Sequence, residues 1–66
     1  MFTVQWEEAS KTDAATATRS KTFAEEADAR RFARSLRSDV WTYRSCVCLY
    51  REGERIAASF DEDKPL

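Results

Sequence analysis

Two cysteines stand one residue apart in "RSCVCLY", Cys46 and Cys48. On a strand that spacing puts both thiols on one face, with Cα atoms near the upper limit for bridging, so an intrastrand disulfide would be strained. Two thiols with no further soft ligand cannot close a four-coordinate zinc site. The chain has no histidine, the commonest general base and metal ligand near neutral pH. The plain reading is a pair of small, half-buried fillers, as free cysteines commonly are. The chemical reading is an intermolecular bridge or a reactive thiol. Carboxylates pair at Glu7–Glu8, at Glu25–Glu26 and from Asp61 to Asp63. Glycoside hydrolysis needs two carboxyls across a cleft, one of them with a raised pKa. These fall in a loop, a helix start and a tail, where solvation accounts for them. One glycine cannot build a phosphate-cradling loop. Neither enzyme activity nor a cofactor or metal is expected.

The arginines carry the remaining signal. In "SKTFAEEADARRFARSLRSD", residues 20–39, Arg30, Arg34 and Arg37 recur at i, i+4, i+7 on one helix flank, with Arg31 on the far side. The plain reading is the solvated back of a structural helix. Glu26 pairs with Arg30 and Asp28 with Arg31, and the acids and arginines complement the two ends of the dipole. The functional reading makes Arg30, Arg34 and Arg37, with Arg44, Arg51 and Arg55, a docking patch for phosphates or for an acidic protein, because a planar guanidinium binds either bidentately. Tyr50, beside Arg55, is the candidate exposed aromatic contact. Trp41 and Tyr43 alternate in phase with Val47 and Leu49 and are expected in the core. Glu7, Glu8 and the C-terminal acids offer another route, imitation of phosphates toward a basic groove.

Which elements position these residues follows from periodicity. "FTVQW" alternates, with Phe2, Val4 and Trp6 on one side, as a half-buried strand does. A polar loop, 7–14, leads to "ATATRSKTF", a second strand whose Arg19 and Lys21 share a face with Ala17 and Phe23. A bulge, or an edge position, would accommodate those charges. Ala29, Phe32, Ala33 and Leu36 form one apolar helical stripe. The helix starts either at a Thr22–Glu25 capping box or, with Phe23 closing the strand, at about Glu25. "VWTYRSCVCLY" alternates again, and "REGER" is a turn around Gly53. A two-residue loop at Glu52–Gly53 pairs Leu49 with Ile56, Val47 with Ala58 and Ser45 with Phe60.

The order is β-β-α-β-β: an α+β domain over residues 1–60, a four-stranded antiparallel sheet with one helix on one face, and a frayed acidic tail at 61–66. The covered face is expected to hold Phe2, Val4, Trp6, Phe23, Trp41, Tyr43, Val47, Leu49, Ile56, Ala58 and Phe60. The open face is expected to show Thr3, Gln5, Thr16, Thr18, Ser20, Thr42, Arg44, Cys46, Cys48, Tyr50, Arg55, Ala57 and Ser59. It suits a contact surface or a dimer seam.

Sixty-six residues make one small domain, and 42% hydrophobic content with two Trp, two Tyr and four Phe is enough to order it. A net charge of −1 supplies no global field toward nucleic acid or acidic membranes. No apolar run serves as a signal peptide or a bilayer span, so a soluble, cytoplasmic protein without membrane contact is expected.

Two resemblances follow from these residues. "W…TATRSKTFAEEADARRFA", within residues 6–36, resembles the arm-type DNA-binding module of phage tyrosine integrases, where a basic β-hairpin leads through Thr-Phe into an Ala-rich helix. That resemblance implies groove contacts by Thr16, Thr18, Arg19 and Lys21. The chain departs from it by a second hairpin, an acidic first loop and a slightly acidic charge. The whole layout resembles the small single-domain β-β-α-β-β proteins of phages and prophages, some of them anti-CRISPR inhibitors that block a bacterial defence complex without catalysis. That likeness rests on size, element order and charge pattern, and carries no site residues with it. The function expected is a non-enzymatic phage- or mobile-element-type binding protein that occludes a host protein or nucleoprotein complex through Arg30, Arg34, Arg37, Arg44, Tyr50 and Arg55. The alternatives are a small DNA-binding module and a structural homodimer.

Overall fold

The computed structural model describes residues 1–13 and 15–66. Its elements run β1 (Phe2–Ser10), β2 (Thr16–Phe23), α1 (Glu26–Ser35), β3 (Thr42–Arg51) and β4 (Glu54–Ala58). Every strand pair is antiparallel and the sheet order is β2-β1-β3-β4, so two hairpins join along a β1–β3 seam. The α+β, β-β-α-β-β architecture read from periodicity is the one present, with α1 lying over β1, β2 and β3. Among the described residues no helix is long and apolar enough to cross a membrane. β1 outruns its alternating stretch and continues through Ser10, which shortens the loop expected at 7–14; Ala14 of that loop lies outside the described residues.

Phe23 closes β2 and α1 begins at Glu26. The Thr22–Glu25 capping box does not form, because Thr22 is still paired with Thr3 in the sheet and the Glu25 N-cap makes no side-chain bond. The helix packs through two small residues, Ala29 and Ala33, both buried. Their size lets the axis approach the sheet, and Phe32 then meets Trp6 edge-on at 5.4 Å and Phe23 at 5.3 Å between centroids. Leu36 leaves helical geometry, with ψ at 111°, and ends α1. Arg37 therefore falls in the connection to β3, and the arginine flank expected through i+7 stops at Arg34.

β2 is an edge strand with an unbroken register to β1, so no bulge relieves its charges. Lys21 and Arg19 pair with Val4 and Trp6 and so share the helix side. The Lys21 ammonium lies over the rings of Phe32 and Phe23, 5.0 and 5.5 Å from their centroids. Inward-leaning cations on an edge discourage pairing with another chain.

Two irregularities re-sort the other hairpin. From Gln5 to Glu7, β1 advances two residues, while β3 goes from Cys48 to Ser45, three. The extra residue sits opposite Trp6, and Cys46 takes up the left-handed region there, φ 53°. Past this bulge the parity of β3 inverts. Val47 and Leu49 stay in the core with Val4 and Trp6, but Tyr43 pairs with Ala9 on the open side and Arg44 with Glu8 on the helix side. The expected burial of Trp41 and Tyr43 is thus corrected: they are 69% and 58% exposed. So is the placing of Thr42 and Arg44 on the open face. The second irregularity lies in β4. The Glu52–Gly53 turn has the expected two residues, with Arg51 opposite Glu54 and Tyr50 opposite Arg55, but Ile56 is then extra and Leu49 meets Ala57. Ala57 is core rather than open face, Ala58 pairs with Cys48 on the open side, and Phe60 is exposed.

Residues 61–66, expected to fray, are tied down. Ala58 N–H donates to the Lys64 carbonyl (3.0 Å), Asp61 Oδ1 accepts from the N–H groups of Asp63 and Lys64, and Arg30 Nη1 donates to the Pro65 carbonyl (3.2 Å). Leu66 packs against the core cluster.

A non-glycine residue in the left-handed region costs about 1–2 kcal/mol, more than glycine loses in chain entropy. Cys46→Gly is therefore expected to stabilise the fold by about 0.5 kcal/mol or more, read as a rise of a few degrees in Tm.

Candidate partner-binding face

Register assigns the side of the sheet away from α1. It carries Thr16, Thr18, Ser20 and Thr22 from β2, and Thr3, Gln5, Glu7 and Ala9 from β1. β3 adds Tyr43, Ser45, Cys48 and Tyr50, and β4 adds Arg55 and Ala58. Near its centre Gln5, Trp6, Glu7, Thr18, Cys46, Cys48, Tyr50, Arg55 and Phe60 line a depression of about 320 Å³. That is the small end of ligand-sized sites, and the lining is mixed rather than apolar. Arg55 is held over the Phe60 ring (5.2 Å to the centroid) with Nη2 3.4 Å from Asp61 Oδ2. Both thiols are free, Cys46 exposed and Cys48 buried.

Of the residues singled out from the sequence, Tyr50 and Arg55 come together here as directly opposed partners. The others do not join them. Arg30 and Arg34 lie on the outer side of α1, where with Glu26, Ala27 and Arg31 they border a second depression. Arg30 is engaged by Glu26 (3.0 Å) as well as by the Pro65 carbonyl, and Arg31 by Asp28 (3.2 Å). The helix flank and the open face are on opposite sides of the molecule, so one flat partner surface cannot take both.

Arg44 is the largest departure. Its Nε donates to Glu8 Oε1 (3.1 Å), and its Nη1 to Asp39 Oδ2 (3.1 Å) and to the Arg37 carbonyl (2.8 Å). Glu8 also accepts from Trp6 Nε1 (3.0 Å) and lies 3.5 Å from Arg19. The Trp6 indole N–H, then the Arg44 guanidinium, hold the Glu8 carboxyl below its ordinary value. The N–H groups of Trp41 and Thr42, then Arg44, do the same for Asp39, while Glu8 and Asp39 raise Arg44. A depressed carboxyl adds stability above its unfolded value and loses it as pH falls through the folded one. With unperturbed values of 4.5 and 3.8, this contribution is present at neutral pH and disappears in acid. Thermal unfolding followed from neutral pH into the acid range is expected to show Tm falling once these carboxyls protonate, with a smaller fall for Glu8→Gln/Asp39→Asn.

Glu7 and Glu8 project to opposite sides of β1, so they form no joint acidic patch. Likewise Thr16 and Thr18 are separated by the strand from Arg19 and Lys21. Periodicity missed Tyr43 and Phe60 as open-side residues, and Val40 and Trp41 as exposed ones. "SDVW" carried a signal for the last two, since Asp39 accepts from the backbone N–H groups of Trp41 and Thr42 as aspartate does in tight turns. No family model, curated protein or solved structure matches the chain.

Proposed function

We propose that the chain is a non-enzymatic binding protein of the kind carried by phages and mobile elements, acting by laying its open sheet face on a host protein and occluding it. A bacterial defence complex is the class of target its overall layout favours. One observation carries the reading. The sheet face away from α1 has no helix over it, and its strand residues are rich in hydroxyls and aromatics with Glu7 and Arg55 as their charged side chains, while Cys48 and Ala58 are buried within it and Lys11 reaches over Tyr43. A nucleic-acid surface needs a basic footprint, and the strand cations Arg19 and Lys21 face the other way. Tyrosines backed by adaptable polar side chains suit a protein surface.

The test is affinity capture from a bacterial lysate by the wild-type chain and by Tyr50→Asp/Arg55→Glu, with and without nuclease. The expected result is a host protein retained by the wild type, indifferent to nuclease and lost with the double variant. Retention unaffected by the variant would count against the face, and retention abolished by nuclease would favour the DNA-binding reading.

A further inference from the structure

The connection from α1 to β3 ends in a tight turn, Asp39 to Thr42. At its tip stand Val40 and Trp41, the two most exposed large hydrophobic side chains among the described residues, at 77% and 69%. Asp39 N–H donates to the Thr42 carbonyl (2.8 Å), and Asp39 Oδ1 accepts from the N–H groups of both Trp41 and Thr42 (2.8 Å each). Arg44 clamps the other carboxylate oxygen, and Ser38 Oγ accepts from the Arg44 N–H (2.9 Å). From the neighbouring hairpin, Lys11 N–H donates to the Trp41 carbonyl (2.9 Å).

A single exposed apolar side chain is ordinary. Two adjacent ones on a turn bonded from both sides are different, because a pre-ordered backbone spares association the entropy of fixing a loop. Tryptophan is also among the residues that most often dominate binding energy. The carboxylates and the cations around the turn are not equally engaged. Asp39 is consumed by its three internal donors, whereas Lys11 and Arg37 make no ion pair among the described residues. The Lys11 ammonium sits 4.4 Å from the centroid of the Tyr43 ring, which links the turn to the open face.

We propose that the Val40–Trp41 turn is the anchor by which the chain grips its protein partner, and that it fits an apolar pocket rimmed by carboxylates. This rests on the reading of the chain as a binding protein and adds the chemistry of the partner. Aromatics beside cations also suit single-stranded nucleic acid. But Val40, the most exposed of the group, has nothing to stack, and two cations make no track for a phosphate backbone.

The experiment places the photoreactive residue p-benzoylphenylalanine at Val40 in one sample and at Thr18, on the open face, in another. Each is irradiated in bacterial lysate, and the adducts are mapped to peptides by mass spectrometry. The Val40 probe is expected to attach to a protein at an apolar site flanked by several Asp or Glu. Against that purified partner, Trp41→Ser should weaken binding by about 30-fold, with Tm unchanged, and Lys11→Glu/Arg37→Glu should weaken it and flatten its salt dependence. A Val40 adduct with nucleic acid, with a second copy of the chain or with a basic surface overturns the inference, as does unaltered affinity in Trp41→Ser. Thr18 adducts without Val40 adducts overturn the anchor while leaving the open-face reading standing. Adducts from neither probe overturn both.

Discussion

Leu49→Ala is expected to leave the chain unfolded at room temperature. Leu49 is completely buried between Val4 on β1 and Ala57 on β4, with which it is in direct register. It is one of the two largest side chains fully withdrawn from water. Emptying such a site costs about 3–5 kcal/mol, the lost transfer energy plus the cavity. A domain of this size holds only about 3–5 kcal/mol in total, so one truncation consumes it. Loss of the cooperative thermal transition would be the readout. Leu49→Met, which conserves volume, should cost less than about 1.5 kcal/mol and still fold. A cooperative transition retained by Leu49→Ala would show that stability resides elsewhere.

The second large effect is expected from Phe32→Ala. Ala29 and Ala33 bring α1 close to the sheet but supply little area of their own, so adhesion falls to Phe32 and Leu36. Phe32 joins both hairpin strands, through Trp6 and Phe23, and it also lies under the Lys21 ammonium. Its removal should cost about 2–4 kcal/mol, discounted from a full aromatic truncation because the ring is half-buried. The consequence is readable without a denaturant. Trp6 is the buried tryptophan and Trp41 the exposed one, so detachment of α1 should shift emission to the red through Trp6, with Phe32→Leu intermediate. Unchanged emission would mean that the helix does not depend on this ring.

Element order was legible because it follows from local periods: alternation in "FTVQW", the stripe Ala29–Phe32–Ala33–Leu36, and Gly53 at a two-residue turn. The edge role of β2 was half legible: Arg19 and Lys21 on the side of Phe23 fit either a bulge or an edge, and the strand order that decides for the edge is not written in the local pattern. What was not legible depends on a single residue's backbone. Bulges are usually betrayed by glycine, and here the left-handed position is filled by Cys46 and the extra residue of β4 is Ile56, both ordinary strand formers in composition. Each changes parity for everything beyond it. That is why Trp41 and Tyr43, in phase on paper with Val47 and Leu49, stand in solvent, and why Arg44 joined Glu8. The helix end was hidden for a similar reason: Arg37 continues the i, i+4, i+7 pattern, but the backbone turns off at Leu36.

The kink at Cys46 leaves this sequence one residue away from a different exterior. Were β3 to pair without the bulge, Cys46 would stand opposite Glu7 and Ser45 opposite Glu8, Arg44 would move to the open side opposite Ala9, Tyr43 would swing beneath the helix opposite Ser10, and the clamp on Asp39 would be gone. The same amino acids would then wrap a greasier interior in a blander skin. What this molecule presents to its surroundings is decided less by which side chains it owns than by an indel-sized offset in where they are counted from.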